Sequence, residues 1–464
     1  MTRNSHAAVI AAICMGFGVL AGCGSVPQIA PVGPAPGAAK PTIVGARGPL
    51  SIAQSKAVLA RISTEPGDNG LLQRHLAIEE EVAGSPLVAN NRTKILHDGP
   101  ETFRAMFGAI QGAEKNVNLE YFIFEDVESD GVKLGDLLIA RREAGVTINV
   151  IYDSYGSSST PTEFFDRLKA AGIILVSFNP VNPLDAKTAY SFNDRDHRKI
   201  LVVDGKIAII GGVNLSTTYQ SNPFGKSGAP NGAADEHWRD TDLRIEGPSV
   251  ASLQTLFLDH WSKQKGSALD ESGMFPSVAA QGIVVTRVLG STPDADIPQY
   301  YVTLLSAIRN AEKSIMISAA YFVPTDQELE SLTDAARRGV DVRLLLPDKS
   351  DSNLSIAVAH SHYTELLEAG VKIYESHDLV LHSKTVAVDG VWSVIGSSNF
   401  DHRSVIFNDE VDVVVLGSET AQELAAMFQN DQKNAKAMDL GTWRRRPLFG
   451  RLQEFYSIAA EYWL

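Results

Sequence analysis

The stretch LHSKTVAVDGVWSVIGSSNF occupies residues 381–400, and a second stretch, DHRKILVVDGKIAIIGGVNL, occupies residues 196–215. Both place His, Lys, Asp, Gly and Asn at one internal spacing: His197, Lys199, Asp204 and Asn214 answer to His382, Lys384, Asp389 and Asn399. Residues two apart in a strand share a face, so each stretch presents an imidazole and an ammonium together. Each then runs through apolar residues into Asp-Gly, a strong short hairpin signal. An antiparallel hairpin turning at Asp204-Gly205 and Asp389-Gly390 sets Gly212 opposite His197 and Ser397 opposite His382. Asn214 and Asn399 follow two residues on, beside the histidines. A single such hairpin could carry His and Lys by chance; two at matched spacing, each followed by an aligned acid (Asp240, Glu410), point to chemistry. The turn position of Asp204 and Asp389 favours a structural role over a catalytic one.

Further landmarks repeat outside the motif. VNLEYFIF (117–124) matches SIMISAAYF (314–322), ARREAGVTINVIYD (140–153) matches DAARRGVDVRLLLPD (334–348), and WRDTDLRIEGP (238–248) matches NDEVDVVVLGS (408–418). The last pair aligns Asp240 with Glu410 and Asp242 with Asp412. A duplicated α/β unit explains this order. Short apolar strands alternate with helical segments, which predicts largely parallel sheets flanked by helices, joined by the motif hairpins. The expected divisions are a signal over 1–22, a Pro/Gly-rich tether over 23–49, a helical lead-in over 50–84, and two α/β domains over 85–272 and 273–464.

The tether carries six prolines and could hold the body up to about 80 Å from a surface at roughly 3.1 Å per residue. Before it, Arg3 and the apolar run AAVIAAICMGFGVLA (7–21) read as an export signal, too short for a good membrane span. Leu20-Ala21-Gly22-Cys23 resembles the bacterial lipobox, which implies a lipidated Cys23 and a membrane anchor made of acyl chains. Cys14 and Cys23 are the two cysteines, so the mature chain would hold no disulfide. Gly24, where Asp would mark inner-membrane retention, favours the periplasmic face of the outer membrane. The net charge of -14 is the wrong sign for a protein that grips nucleic acid by its phosphates, so no nucleic acid partner is expected.

Two histidines, two lysines and two asparagines, with no dedicated metal cage, suit a phosphodiester. The cations and amides bind anionic oxygens; one histidine attacks phosphorus while the other moves the proton. Asp240 and Glu410 are candidates to orient the rings from behind.

The doubled pattern His-x-Lys-x4-Asp-x6-Gly-[Gly/Ser]-x-Asn resembles the phospholipase D superfamily. The flanks NVIYDSYGS (149–157), AAYFVPTDQELE (319–330) and GSSNFDHRS (396–404) resemble its bacterial cardiolipin synthase branch. The resemblance runs from about residue 85 to the end. It implies two tandem phospholipase D-like α/β domains with pseudo-twofold symmetry, a phosphohistidine intermediate and no metal or other cofactor. By that analogy His197 is the nucleophile and His382 the general acid, with Lys199, Lys384, Asn214 and Asn399 on the phosphate. Gly212 departs from the pattern, which has Ser there, as at Ser397. The implied activity is a phosphatidyltransferase making cardiolipin from phosphatidylglycerol and a second phospholipid, with a helper membrane protein as a candidate partner. A phospholipase D-type hydrolase, an exported phosphodiesterase or nuclease, and a non-catalytic lipid-binding lipoprotein are the alternatives.

Other features carry less. His360 and His362, in a loop-to-helix segment, and His377 lack the i, i+4 spacing of helical zinc sites. Arg444, Arg445 and Arg446 could meet anionic headgroups or solvent. Tyr121 and Tyr321 read as core, while Asp153 and Asp348 end strands where α/β sheets build crevices.

Overall fold

The computed structural model describes residues 26–30, 43–62, 70–72, 74–76, 85–182, 184, 191, 193–220, 238–293, 295, 298–447, 454 and 457. The expected signal, Cys23 and the remainder of the tether lie outside these residues. Among the described residues, no helix is long and apolar enough to cross a membrane.

The two halves repeat one strand order. The first contains β1 (Leu87–Leu96), β2 (Asn116–Tyr121), β3 (Thr147–Asp153), β4 (Ile174–Phe178), β5 (Lys199–Val203), β6 (Ile207–Gly211) and β7 (Asp242–Glu246), laid side by side as β1-β7-β6-β5-β2-β3-β4. The second contains β8 (Val284–Ser291), β9 (Ser314–Ala319), β10 (Asp341–Pro347), β11 (Lys372–Ser376), β12 (Lys384–Val388), β13 (Trp392–Gly396) and β14 (Asn408–Leu416), laid as β8-β14-β13-β12-β9-β10-β11. Pairing is parallel within β2-β3-β4 and β9-β10-β11, where helices return the chain, and antiparallel between the other neighbours in these two orders. These are the mixed α/β sheets that the repeat predicts.

Helices repeat in step: α1 (Gly99–Gln111), α2 (Leu134–Glu143), α3 (Thr162–Ala170) and α4 (Val250–Lys263), then α5 (Gln299–Arg309), α6 (Asp326–Arg337), α7 (Asn353–Ala369) and α8 (Ser418–Gln432). Their starts are written locally: Asp98 accepts from Glu101 N–H ahead of α1, and Thr325 and Glu328 form a capping box ahead of α6. Phe103, Met106, Leu138 and Phe165 seal α1–α3 over one face of the first sheet, and Leu304, Leu332 and Leu366 seal α5–α7 over the second. The other faces meet between the halves, where Ile200, Val202, Ile210 and Leu243 join Ile395, Val411 and Val413 in one core. Strands buried on both sides carry near-continuous apolar runs, as ILVV (200–203) and VVVL (413–416) do. β1 also pairs with β8, so the sheets are continuous across the halves.

The hairpins turn as expected but register differently. Asp204 and Gly205 take positive φ (52° and 59°) and Lys206 N–H donates to Val203 O at 2.9 Å, the geometry of a type I′ turn. The ladder then pairs Val203 with Ile207 and Val388 with Trp392. Lys206 and Val391 are extra residues in the connections, so every pair shifts by one and Gly212 does not face His197. The ladders end at Gly211 and Gly396, and loops rather than register deliver Asn214 and Asn399.

Asp204 and Asp389 sit at the turn ends of β5 and β12, opposite the ends bearing Lys199 and Lys384. The Asp204 carboxylate accepts from the N–H groups of Glu114, Lys115 and Asn116 at 2.8, 2.7 and 2.9 Å. Asp389 does the same for Glu312, Lys313 and Ser314, and adds His75 Nε2 at 3.1 Å. Their place in the motif is architectural: they tie the turn to the start of β2 and β9.

Two described pieces of the expected tether lie on the body. Ile43 is buried in the second half's core beside Leu71, Leu72 and Leu76 of the lead-in, and Ile29 N–H donates to Gln327 Oε1 at 3.0 Å. His360 and His362 lie within α7 rather than at a loop junction, and His360 pairs with Glu375 at 2.8 Å. His377 pairs with Asp348. Arg444 pairs with Glu368 and Arg446 with Glu454, so internal carboxylates occupy both.

Candidate active site

Two short exchanges between the halves build the site. Arg195–Asp196 pairs in parallel with Asn408–Asp409, and Trp238–Arg239 pairs in parallel with Val380–Leu381. The next residue on each of these four segments is His197, Glu410, Asp240 and His382. Each histidine donates its N–H across the halves, His197 to Asp409 O at 2.9 Å and His382 to Arg239 O at 2.8 Å.

The acids are consequently exchanged. His197 Nδ1 lies 3.1 Å from Glu410, and His382 Nδ1 lies 2.7 Å from Asp240 Oδ2. Each ring is oriented by the acid of the opposite half. An Nδ1–H given to a carboxylate leaves the Nε2 lone pair for chemistry. Glu410 also accepts from Ser397 Oγ (2.5 Å), Ser404 Oγ (2.9 Å) and Asn408 Nδ2 (3.1 Å), which fixes it fully. Gly212 explains its departure from Ser here: a Cβ on it would stand 2.1 Å from Asp240 Oδ1. The residue is absent of side chain because the carboxylate occupies that space.

The lysines bend back beside the rings. Lys199 Nζ donates to His197 O and Lys384 Nζ to His382 O, both at 2.6 Å, and Lys384 Nζ also lies 2.8 Å from His382 Nδ1 and 3.3 Å from its Nε2. Asn214 accepts from Ile123 N–H at 3.2 Å, and Asn399 Oδ1 is buried with no hydrogen-bond partner among the described residues. Asp242 and Asp412 hold the loops that carry these amides, through Val213 N–H (3.0 Å) and Ser398 Oγ (2.6 Å).

Several contributors escape a reading of the motif alone. Arg198, on the reverse face between His197 and Lys199, donates to the Glu410 carbonyl (3.1 Å) and to Ser291 O (3.1 Å), and pairs with Glu120 (3.3 Å). It thus braces the backbone of the acid that orients His197. Tyr219, Trp238 and Tyr321 wall the His382 ring at 5.9, 5.1 and 6.0 Å between centroids. Tyr321 was expected in the core, yet it lines an open cleft of about 450 Å³ with His197 and Asn399, its hydroxyl on Asp351 at 2.6 Å. Tyr121 is buried, as expected.

Burial dominates the electrostatics. It pushes the His197 imidazole down to about 4, with Lys199 and Lys384 assisting and Glu410 opposing. It lowers His382 as well, Lys384 adding to the effect and Asp240 resisting. Burial also brings Lys199 down to about 7, with Lys384 lowering it further and Glu410 opposing, and it drops Lys384 below its ordinary value against the pull of Asp240 and Glu410. At pH 7 both imidazoles therefore favour the neutral form, and Lys199 sits near its own titration midpoint, so an anion bound beside it would stabilise its charged form.

Comparison with known proteins agrees with this geometry. A family model described as cardiolipin synthase, PLD-like domain, matches residues 106–222 and 304–432. A cardiolipin synthase of Alkalihalophilus pseudofirmus is 34% identical over 382 residues, 82% of this chain and 74% of that protein. One from Geobacillus thermodenitrificans is 33% identical over 411 residues, 87% of this chain and 78% of that protein. The crystal structure of a phosphatidylserine synthase from Haemophilus influenzae shares the fold, with a TM-score of 0.62 over 84% of this chain and 100% of that one at 12% identity.

Proposed function

Since this chain belongs to the cardiolipin synthase branch of the phospholipase D superfamily, we propose that it moves a phosphatidyl group from phosphatidylglycerol to a second phospholipid, producing cardiolipin. The observation that carries the reading is the pair of histidines facing one site, each with Nδ1 held by an acid of the opposite half. His197 attacks the donor phosphorus through Nε2. The bond from phosphorus to the departing glycerol oxygen breaks, and that oxygen takes a proton from His382. Lys199, Lys384, Asn214 and Asn399 bind the non-bridging oxygens and hold the charge that develops on them. The phosphate's own charge raises the imidazole it meets, which lets His382 be protonated in the complex. In the second half-reaction an alcohol gives its proton to His382 and displaces His197 from phosphorus.

Purified protein in phosphatidylglycerol vesicles is expected to release glycerol and form cardiolipin in equal amounts. Phosphatidic acid as the sole lipid product would replace this reading with a hydrolase.

Export and anchoring belong to the same proposal, supported by the run Leu20-Ala21-Gly22-Cys23: Cys23 is lipidated, and the body works at the periplasmic face of the outer membrane. Cells fed a labelled fatty acid should label the wild type and leave Cys23→Ser unlabelled. Equal labelling of the two would refute the anchor.

A further inference from the structure

The cleft beside His197 has a cationic wall that the motif chemistry does not use. Arg195 and Arg403 both line it, as do Asn193 and Asn408. Each half supplies one: Arg195 lies on the short strand just before His197, and Arg403 on the helical turn His402–Ile406 just after Asn399. Their planes are fixed by surroundings. Arg195 donates to Asn179 O at 3.3 Å, lies 3.6 Å from Asp153 Oδ1, and sits over the Tyr155 ring at 5.7 Å. Arg403 donates to Asn193 O at 2.8 Å and sits over Phe407 at 5.8 Å.

Acids lie beside both arginines, Asp153 at Arg195 and Asp401 at Arg403. Burial lowers Arg403 below its ordinary value, and Arg195 lowers it further against the pull of Asp401. Asp401, in the same cleft, is itself pushed up to about 7 by burial, so near neutrality it offsets the pair only in part. Asp351 stands in the cleft too, hydrogen-bonded to Tyr321. Two guanidiniums held in fixed planes are suited to a planar or tetrahedral oxyanion.

One phosphate already has its full complement of ligands in Lys199, Lys384, Asn214 and Asn399. A neighbouring arginine pair calls for a second anion. We infer that Arg195 and Arg403 bind the phosphate of the acceptor phospholipid while its glycerol hydroxyl reaches the phosphatidyl group carried on His197. The inference rests on the phosphatidyl transfer proposed above. Arg195 precedes His197 by two residues of extended backbone, about 7 Å, which is comparable with the glycerol bridge between the two phosphates of cardiolipin. In the step itself the acceptor oxygen bonds to phosphorus, the bond from phosphorus to His197 nitrogen breaks, and the hydroxyl proton passes to His382. Water needs no such subsite. The arginines therefore select a lipid alcohol over water.

Ethanol separates the two sides of the reaction, because it intercepts the same phosphohistidine without bearing a phosphate. The full-length protein is given phosphatidylglycerol vesicles with ethanol, and cardiolipin and phosphatidylethanol are measured together. Arg195→Gln and Arg403→Gln should each lower the ratio of cardiolipin to phosphatidylethanol by roughly tenfold or more, the scale of one lost charged hydrogen bond, and the double variant should lower it further. That ratio is a property of the molecules that turn over, so loss of folded protein does not move it. An unchanged ratio at any level of turnover overturns the inference, as does loss of both products by a variant whose circular dichroism and melting match wild type, which would assign the arginines to the donor. A wild type that makes phosphatidylethanol and phosphatidic acid but no cardiolipin would instead defeat the proposed function itself.

Discussion

His197→Ala and His382→Ala should each abolish phosphatidyl transfer, a fall of at least about 10⁴-fold in kcat/KM. The expectation is strong because each imidazole makes or breaks a bond in both half-reactions. Other described histidines are engaged elsewhere, His75 with Asp389, His260 with Glu120 and His360 with Glu375. An activated donor divides the roles. Phosphatidyl-p-nitrophenol has a leaving group that needs no proton, so His382→Ala should still release about one nitrophenolate per enzyme in a burst, whereas His197→Ala should release none. The opposite pattern would exchange the two histidines, and turnover surviving both single changes would discard the mechanism.

Much of this arrangement is legible in the chain because it is written twice. Matched spacing identified His197, Lys199, His382 and Lys384, and the alternation of strand and helix text identified the α/β repeat. What escaped depends on single extra residues or on contacts between the halves. Asp-Gly dictates the turn, but Lys206 and Val391 shift the ladder by one, and nothing in a short motif specifies that insertion. Tyr321 reads as core along with Tyr121, yet Tyr121 pairs with Lys199 where Ala319 pairs with Lys384. Tyr321 therefore lies two residues beyond the strand, in the cleft. The departure at Gly212 is room for Asp240, which a motif read within one half does not show. Arg195 and Arg403 lie outside the repeated pattern, each contributed by one half, so duplication could not reveal them.

The exchange of acids yields the most discriminating result. Glu410→Gln and Asp240→Asn should each cost about 10²–10⁴-fold in kcat, since an amide leaves the imidazole in place but no longer favours Nδ1–H. Glu410 should act with His197 as one unit: adding Glu410→Gln to His197→Ala should cost almost nothing more, while adding Asp240→Asn to Glu410→Gln should compound. Their pH behaviour should differ as well. Asp240 raises His382, opposing burial and Lys384, so Asp240→Asn lowers that imidazole further and shrinks its protonated fraction at neutral pH. Acidifying the assay restores the proton, and the deficit of Asp240→Asn against wild type should narrow as pH falls. Glu410 likewise raises His197, but His197 works as the neutral nucleophile, so loss of Glu410 leaves nothing for added protons to repair. A deficit in Glu410→Gln that narrowed on acidification, with Asp240→Asn unchanged, would mean that the attacking and proton-carrying halves are the reverse of those assigned here.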